Sequence, residues 1–345
     1  MIKEEFKMER IKSSLRSHMI YVAGFISSLF LFVNIAIASD RIHIGLVSAE
    51  PLQLFAWAAK DGGHFMKYDL DVDLPVFFGS RKIAQSLLSG DLKVAMLGGP
   101  PLINAYLSGA NLSMTAGFVN FASYELIAGR EFRKVEDLRG KVVAVSSFGG
   151  ASDFLTRYVL RQHGLNPDKD LKVIQIEGGP AVRLAAMEKG AVHAALLILP
   201  FTNQAKKLGF SSLADLSKTG PSFQQIGLAA LRGFAAERRE LVLRILRALL
   251  EAVSRLKEDE NFGVQTLVRN MKMDSTNPEQ VRDARDAVRL YVSRVERVPY
   301  ASEKGLQTII EVAALTSAKA KSVNPRELID VSFLSQLEAE GFVRK

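Results

Sequence analysis

The chain has 345 residues, 48% of them hydrophobic and 24% charged, with no cysteine and a formal net charge of +8. That length exceeds what a single compact core supports, so two lobes or domains are expected. The missing thiols exclude disulfides, thiolate metal sites, cysteine nucleophiles and a lipid-modified N-terminal cysteine.

The first 18 residues carry Lys3, Lys7, Arg10, Lys12 and Arg16 against Glu4, Glu5 and Glu9, and an uncharged run from Met19 to Ser39 follows. That run ends in Ala36-Ile37-Ala38, the small-x-small pattern that signal peptidase accepts, so residues 1–38 are expected to be a signal peptide cleaved after Ala38. Met8 is an alternative start. The run is also about long enough to cross a bilayer, and its retention would leave the exported chain tethered to the membrane. The remainder still carries about +6. Its basic residues are dispersed along helical stretches such as "RRELVLRILRALLEAVSRLK", residues 238 to 257, without the interleaved aromatics of a base-stacking surface. No nucleic-acid partner is expected, and the charge reads as a mild field that draws small anions.

Strand-like and helix-like segments then alternate. Short apolar runs at 41–47, 70–78, 92–98, 112–119, 141–146, 171–177, 193–199 and 226–232 read as strands. Between them, apolar residues recur at helical spacing: Leu52, Phe55, Ala56 and Ala59; Ile83, Leu87 and Leu88; Phe154, Leu155, Tyr158 and Val159; Val182, Leu184, Ala185 and Met187. Such alternation predicts right-handed crossovers and an α/β fold with mostly parallel sheets. From Ala236 the chain reads as helical at 236–257, 277–294, 302–320 and 325–340, with Asn-Pro at the start of two of these stretches.

In open sheets of this kind ligands sit beyond the carboxyl ends of the strands. The loops there are "SAEP" (48–51), "GSRK" (79–82), "GGPP" (98–101), "FVNFAS" (118–123), "SSFGGASD" (146–153), "EGGP" (177–180) and "LPF" (199–201). Proline at a first helical position costs no hydrogen bond, so "SAEP", "GGPP" and "EGGP" mark helix starts. No catalytic motif of the GxSxG, HExxH or GxxxxGK[ST] kind occurs, and His18, His43, His64, His163 and His193 lack metal-ligand spacing. No cofactor or metal is expected.

Three stretches carry a resemblance: "EPLQLFAWAAKDGGHFMKYDLDVDL", "GSRKIAQSLLSGDLKVAMLGGPPLINAYLSGANL", and "VEDLRGKVVAV" followed by a glycine-rich turn. In this order the chain, over roughly 41–250, resembles the periplasmic solute-binding proteins of the nitrate, sulfonate, taurine and thiamine-precursor type that serve ABC importers. The resemblance implies a type 2 periplasmic-binding fold, with two α/β lobes about a ligand cleft and two crossings near 121–129 and 222–231. Lobe one would be 41–123 plus 224–345, and lobe two 124–223. It also implies a monomer that binds a small anionic or zwitterionic organic solute (sulfonate, carboxylate or pyrimidine-like) and hands it to an ABC permease. Two other readings stand beside it. The related pyrimidine-precursor synthases of thiamine biosynthesis share the fold but carry a cysteine-rich motif that this chain lacks. A periplasmic sensing module would report ligand to a membrane partner.

Placed at such a cleft, the amides of Gly149, Gly150, Ala151 and Ser152 form a helix start suited to an anionic head group, with Ser146, Ser147 and Ser152 as further donors. The same residues also make sense as a tight turn in which Ser147 or Ser152 only caps the helix. Gly98, Gly99 and Pro100 have the same two readings. So do the glycines Gly79, Gly178 and Gly179 and the loop residue Ser48. Phe118, Phe121, Phe148 and Phe201 offer either ligand-facing rings or core. Glu50 is the loop acid suited to an amine of a zwitterion, and Arg81 is the nearest basic residue for a full counter-charge.

Overall fold

The computed structural model describes residues 39–315 and 317–343; the expected signal peptide, 1–38, lies outside the described residues. Ten strands run through them: β1 (Asp40–Leu46), β2 (Leu70–Asp73), β3 (Val94–Leu97), β4 (Leu112–Phe121), β5 (Glu125–Ala128), β6 (Val142–Val145), β7 (Lys172–Gln175), β8 (Ala194–Leu197), β9 (Ser211–Asp215) and β10 (Ser222–Leu231). They form two five-stranded sheets, ordered β2-β1-β3-β10-β4 and β7-β6-β8-β5-β9.

Each sheet has the same plan. Three parallel strands lead, with Ile42 opposite Val72 and Ile44 opposite Val94 in the first sheet, and Val143 opposite both Val173 and Ala194 in the second. An antiparallel strand follows: β10 in the first sheet, with Leu228 opposite Met96 and Ala116, and β5 in the second, with Leu126 opposite Leu196 and Ala214. Every residue of β3 ("VAML") and β8 ("AALL") is buried, because helices cover both faces of these inner strands and leave no place for a polar side chain.

The antiparallel members are the strands that enter from the other lobe. After Phe121 the chain passes through Ala122, Ser123 and Tyr124 into β5, and it returns through Gly220 and Pro221 into β10. The two crossings run side by side. Ser222 pairs with Phe121, and the Ser123 amide donates to Gln225 Oε1 at 2.9 Å.

Of the helices, α1 (Leu54–Asp61), α2 (Ser80–Ser89) and α3 (Gly99–Leu107) belong to the first lobe, and α4 (Ala151–Gln162), α5 (Pro180–Glu188) and α6 (Phe201–Lys207) to the second. The first lobe is completed by α7 (Arg239–Glu258), α8 (Glu260–Asn270), α9 (Pro278–Arg294), α10 (Glu303–Ala313) and α11 (Ser332–Ala339). Helix α7 buries Leu241, Val242, Ile245, Leu249, Val253 and Leu256, a stripe at helical spacing that packs against α1. Trp57 on α1 lies in the same core.

The structure departs from the expected elements in the carboxyl-terminal part. The stretch 302–320 is α-helical only to Ala313, and a separate 3-10 turn follows at Ala318–Ser322. The stretch 325–340 is interrupted, because Ile329 bridges to Met114 and the Asp330 amide donates to the Met114 carbonyl at 2.9 Å, extending the edge of the first sheet. Helix α8 and the polar edge strand β9 ("SSLAD") were not expected, and the strand at 70–78 is regular only to Asp73.

Candidate functional site

A cavity of about 60 Å³ lies where the carboxyl ends of the parallel strands of both sheets converge. The first lobe contributes Ser48 and Glu50 beyond β1, Phe78 and Gly79 before α2, and Gly98 before α3. The second contributes Ser146 and Ser147 beyond β6, Ala151 at the first turn of α4, and Glu177, Gly178 and Gly179 beyond β7. Tyr124 and Gln225 come from the two crossings.

Behind Glu50 stands Arg183, which is fully buried; its Nη2 is 3.9 Å from Glu50 Oε1. None of its three guanidinium nitrogens has a hydrogen-bond partner among the described residues. Helix α5 carries it, and the turn before α5 explains why. Gly178 and Gly179 have φ of 98° and 94°, a backbone conformation that only glycine adopts without strain. A Cβ at 178 would sit 2.9 Å from Val182 Cγ2. This turn sets the phase of α5, so that Pro180, Arg183, Leu184 and Met187 face inward. The expected apolar face, Val182 with Leu184, Ala185 and Met187, is therefore corrected: Val182 is 45% exposed, Ala185 is exposed, and the inward position is taken by an arginine. Arg81, the expected counter-charge, lines a surface groove with Phe148 and Lys319 instead.

Glu50 is only 4% exposed. Burial pushes its carboxyl above the usual range, and Arg183 pulls it partly back. The Ser48 hydroxyl lies close by without a well-formed hydrogen bond. Burial and then Glu50 raise the Tyr124 phenol well above its ordinary value. Gln225 accepts from Ser123, but among the described residues its amide nitrogen has no hydrogen-bond partner, and neither has either side-chain polar atom of the buried Gln53. Native interiors satisfy almost all such groups; of these, Ser48 and Gln225 line the cavity, while Arg183 and Gln53 are not among its lining residues.

A family model described as the NMT1-like family matches residues 38–265, about two thirds of the chain. The chain belongs to the NMT1-like family. Among its relatives, the chain is 24% identical over 246 residues to the taurine-binding periplasmic protein of Escherichia coli (strain K12), covering 69% of this chain and 71% of that one. It is 26% identical over 163 residues to YtlA of Bacillus subtilis (strain 168), covering 44% of this chain. The match spans about half of YtlA, 48%. The fold is that of the periplasmic aliphatic sulphonate-binding protein SsuA of Escherichia coli, with a TM-score of 0.63 at 19% identity, covering 84% of this chain and 92% of that one.

Within this NMT1-like fold, nine of the expected site residues border the cavity: Ser48, Glu50, Gly79, Gly98, Ser146, Ser147, Ala151, Gly178 and Gly179. The other nine lie elsewhere. Gly99 packs against α10, where a Cβ would meet Ile309 Cδ1 at 2.4 Å. Pro100, Phe148 and Gly149 line a separate interlobe groove on the far side of α3, and Pro101 takes the cavity position. Phe118 stacks on Phe55 in the first-lobe core, 5.4 Å between centroids. Phe121 packs against Tyr291 under the Arg294 guanidinium. Phe201 joins the second-lobe core.

The amides of "SSFGGASD" are also spent differently from expectation. Gly149 N donates to Asp153 Oδ2 at 2.9 Å and Gly150 N to the Ser147 carbonyl at 3.1 Å. Ser152 is buried, with its hydroxyl bonded to Ser146 N and Oγ at 2.8 and 2.7 Å.

Polar contacts join the lobes around the cavity. Lys82 faces Glu177 at 3.7 Å, and Asn104 Nδ2 donates to the Gly149 carbonyl at 2.9 Å. On the other side, Lys207 on α6 pairs with Asp283 on α9 at 3.0 Å, and Asn203 donates to the same carboxylate at 3.2 Å.

Proposed function

We propose that the chain is exported and acts as the extracytoplasmic solute-binding component of an ABC importer, taking a small organic anion into the cavity between its lobes and presenting it to a membrane permease. The observation that carries this reading is the buried guanidinium of Arg183, 3.9 Å from the Glu50 carboxylate but without a hydrogen-bond partner among the described residues. A charge removed from water is costly unless it is paired, and Glu50 at 3.9 Å is not a hydrogen-bonded partner. A planar fork of donors matches the oxygens of a sulfonate or carboxylate. Gly178 and Gly179 place the amino-terminal end of α5 beside the cavity, which adds a favourable field for an anion. Ser48 from the first lobe and Ser147 from the second both line the cavity.

The taurine-binding and sulphonate-binding relatives support the same class of solute. The uncharged run before Ser39 supports export. The two lobes, 41–123 with 224–345 and 124–223, would separate and close about the paired crossings, shutting the solute away from water. Micromolar binding needs about −8 kcal/mol, which a few charge-assisted hydrogen bonds of about 1.5–3 kcal/mol each supply beside an apolar wall. The chain acts as a monomer and as a binder without turnover.

Calorimetry and thermal-shift measurements with ethanesulfonate, nitrate, taurine and benzoate test the reading. At least one of these is expected to stabilise the wild type. Arg183→Met is expected to weaken that ligand about 100-fold, and Arg183→Lys, which keeps the charge without the fork, about tenfold. Wild-type affinity in Arg183→Met would overturn the anion reading. Chemical turnover of the bound compound would replace binding by catalysis.

A further inference from the structure

The cavity wall and the group behind it present an imbalance of charge. The buried cation at the site is Arg183, and Glu50, itself 4% exposed, already stands against it at 3.9 Å. An anion held in a cavity of about 60 Å³ that Glu50 lines is necessarily close to the Glu50 carboxyl. One guanidinium then faces two negative groups in a place that water does not screen, an arrangement in which both do not stay ionised. A sulfonate does not take up a proton in water. Glu50 does.

We infer that anion binding in this cavity is coupled to the uptake of one proton by Glu50, which makes Glu50 the residue that sets the charge the site accepts. The inference rests on the anion-binding reading above. With Glu50 neutral, the site holds a single positive charge and suits a monoanion, and the protonated carboxyl becomes a donor on the cavity wall.

The groups around Glu50 leave it as the one that responds. Arg183 from α5 is the cation that faces Glu50. Tyr124 from the first crossing and Tyr291 from α9 have phenols raised by burial, which keeps them neutral. Ser48 and Gln225 carry no charge. Glu177, the other carboxyl at the cavity, is about half exposed and paired with Lys82 from α2 across the mouth. No histidine lines the cavity. Burial has already raised the Glu50 carboxyl against the pull of Arg183, and an anion in the cavity that Glu50 lines further disfavours its ionised form. The carboxyl is therefore raised further in the complex than in the free protein. Affinity is then highest below the free-protein value and falls as pH rises between the two.

Calorimetry of the full chain with ethanesulfonate, from acid to mildly alkaline pH and in buffers of different ionisation heat, tests this. Wild type should take up about one proton on binding and lose up to about tenfold in affinity per pH unit across the window. Glu50→Gln should bind with a flat profile and no uptake, whereas Glu177→Gln should keep the slope. Wild-type binding without proton uptake overturns the inference and leaves the anion reading intact; should Glu50→Gln fail to fold, this measurement on the wild type decides alone. Tight taurine binding without uptake, lost in Glu50→Gln, also overturns it, since Glu50 would then be an ionised partner for an amine. Failure of ethanesulfonate, nitrate, taurine and benzoate alike to bind the folded wild type removes the anion reading and this inference together.

Discussion

Two strand-to-helix turns of the second lobe contain paired glycines, and they use their polar groups in opposite ways. The turn from Ser146 to Asp153 satisfies itself. Ser152 caps the end of β6, the Asp153 carboxylate takes the Gly149 amide and Arg157 Nε, and Gln175 takes the Phe148 amide. Its Gly149 carbonyl is bound by Asn104 of the other lobe. The turn from Glu177 to Arg183 instead delivers a buried guanidinium that nothing in the described residues satisfies. Glycine content shows only where the backbone must bend tightly. Capacity for a ligand is better read from donors left unspent after the turn has closed.

Beyond Arg183→Met, the sharpest way to break this contrast is Asp153→Ala. Asp153 is buried and holds two donors, so its loss should cost about 2–3 kcal/mol in urea or thermal unfolding. Ligand affinity should change by no more than a few-fold. An unchanged melting curve with lost binding would make the first turn the receptor and defeat the comparison.

Gly178→Ala comes next. At φ 98° and with Val182 in the way, alanine is strained by about 1–2 kcal/mol. Its relief turns α5 and moves Arg183, so affinity should fall with stability. Adding Val182→Ala removes the clash and leaves the φ strain, and it should restore only part of both.

Much of the frame was legible in the chain. Inner strands such as β3 and β8 are continuous apolar runs because both their faces are covered, and the loops that follow β1, β2, β3, β6 and β7 border one cavity, while the loop after β8 does not. Edge strand β9 was not, since one side faces water and "SSLAD" carries no apolar pattern. Arg183 was missed for a different reason. In "EGGPAVRLAAMEKG" the apolar residues fit two helical phases, and the glycine conformations at 178 and 179 decide between them. The available signal was an arginine three residues after Pro180 in register with Leu184 and Met187. The phenylalanines show the converse failure. Phe118 lies within β4 and Phe121 and Phe201 at element ends; Phe118 packs against Phe55, Phe121 against Tyr291, and Phe201 joins the second-lobe core while also lining a second pocket.

The smallest expected effects separate the two serines that looked alike. Ser152 and Ser147 are both buried, but only Ser147 borders the cavity, whereas the Ser152 hydroxyl is taken up by Ser146. Ser152→Ala strands the Ser146 amide and should cost about 0.5–2 kcal/mol of stability with ligand affinity unchanged. Ser147→Ala leaves the turn's own bonds in place, because it is the Ser147 carbonyl that holds the Gly150 amide, and it should weaken the ligand a few-fold with little change in unfolding. If Ser152→Ala cost affinity and Ser147→Ala cost stability, the division between a turn that braces the lobe and a turn that serves the ligand would be wrong at its finest point, even with Arg183 correctly placed.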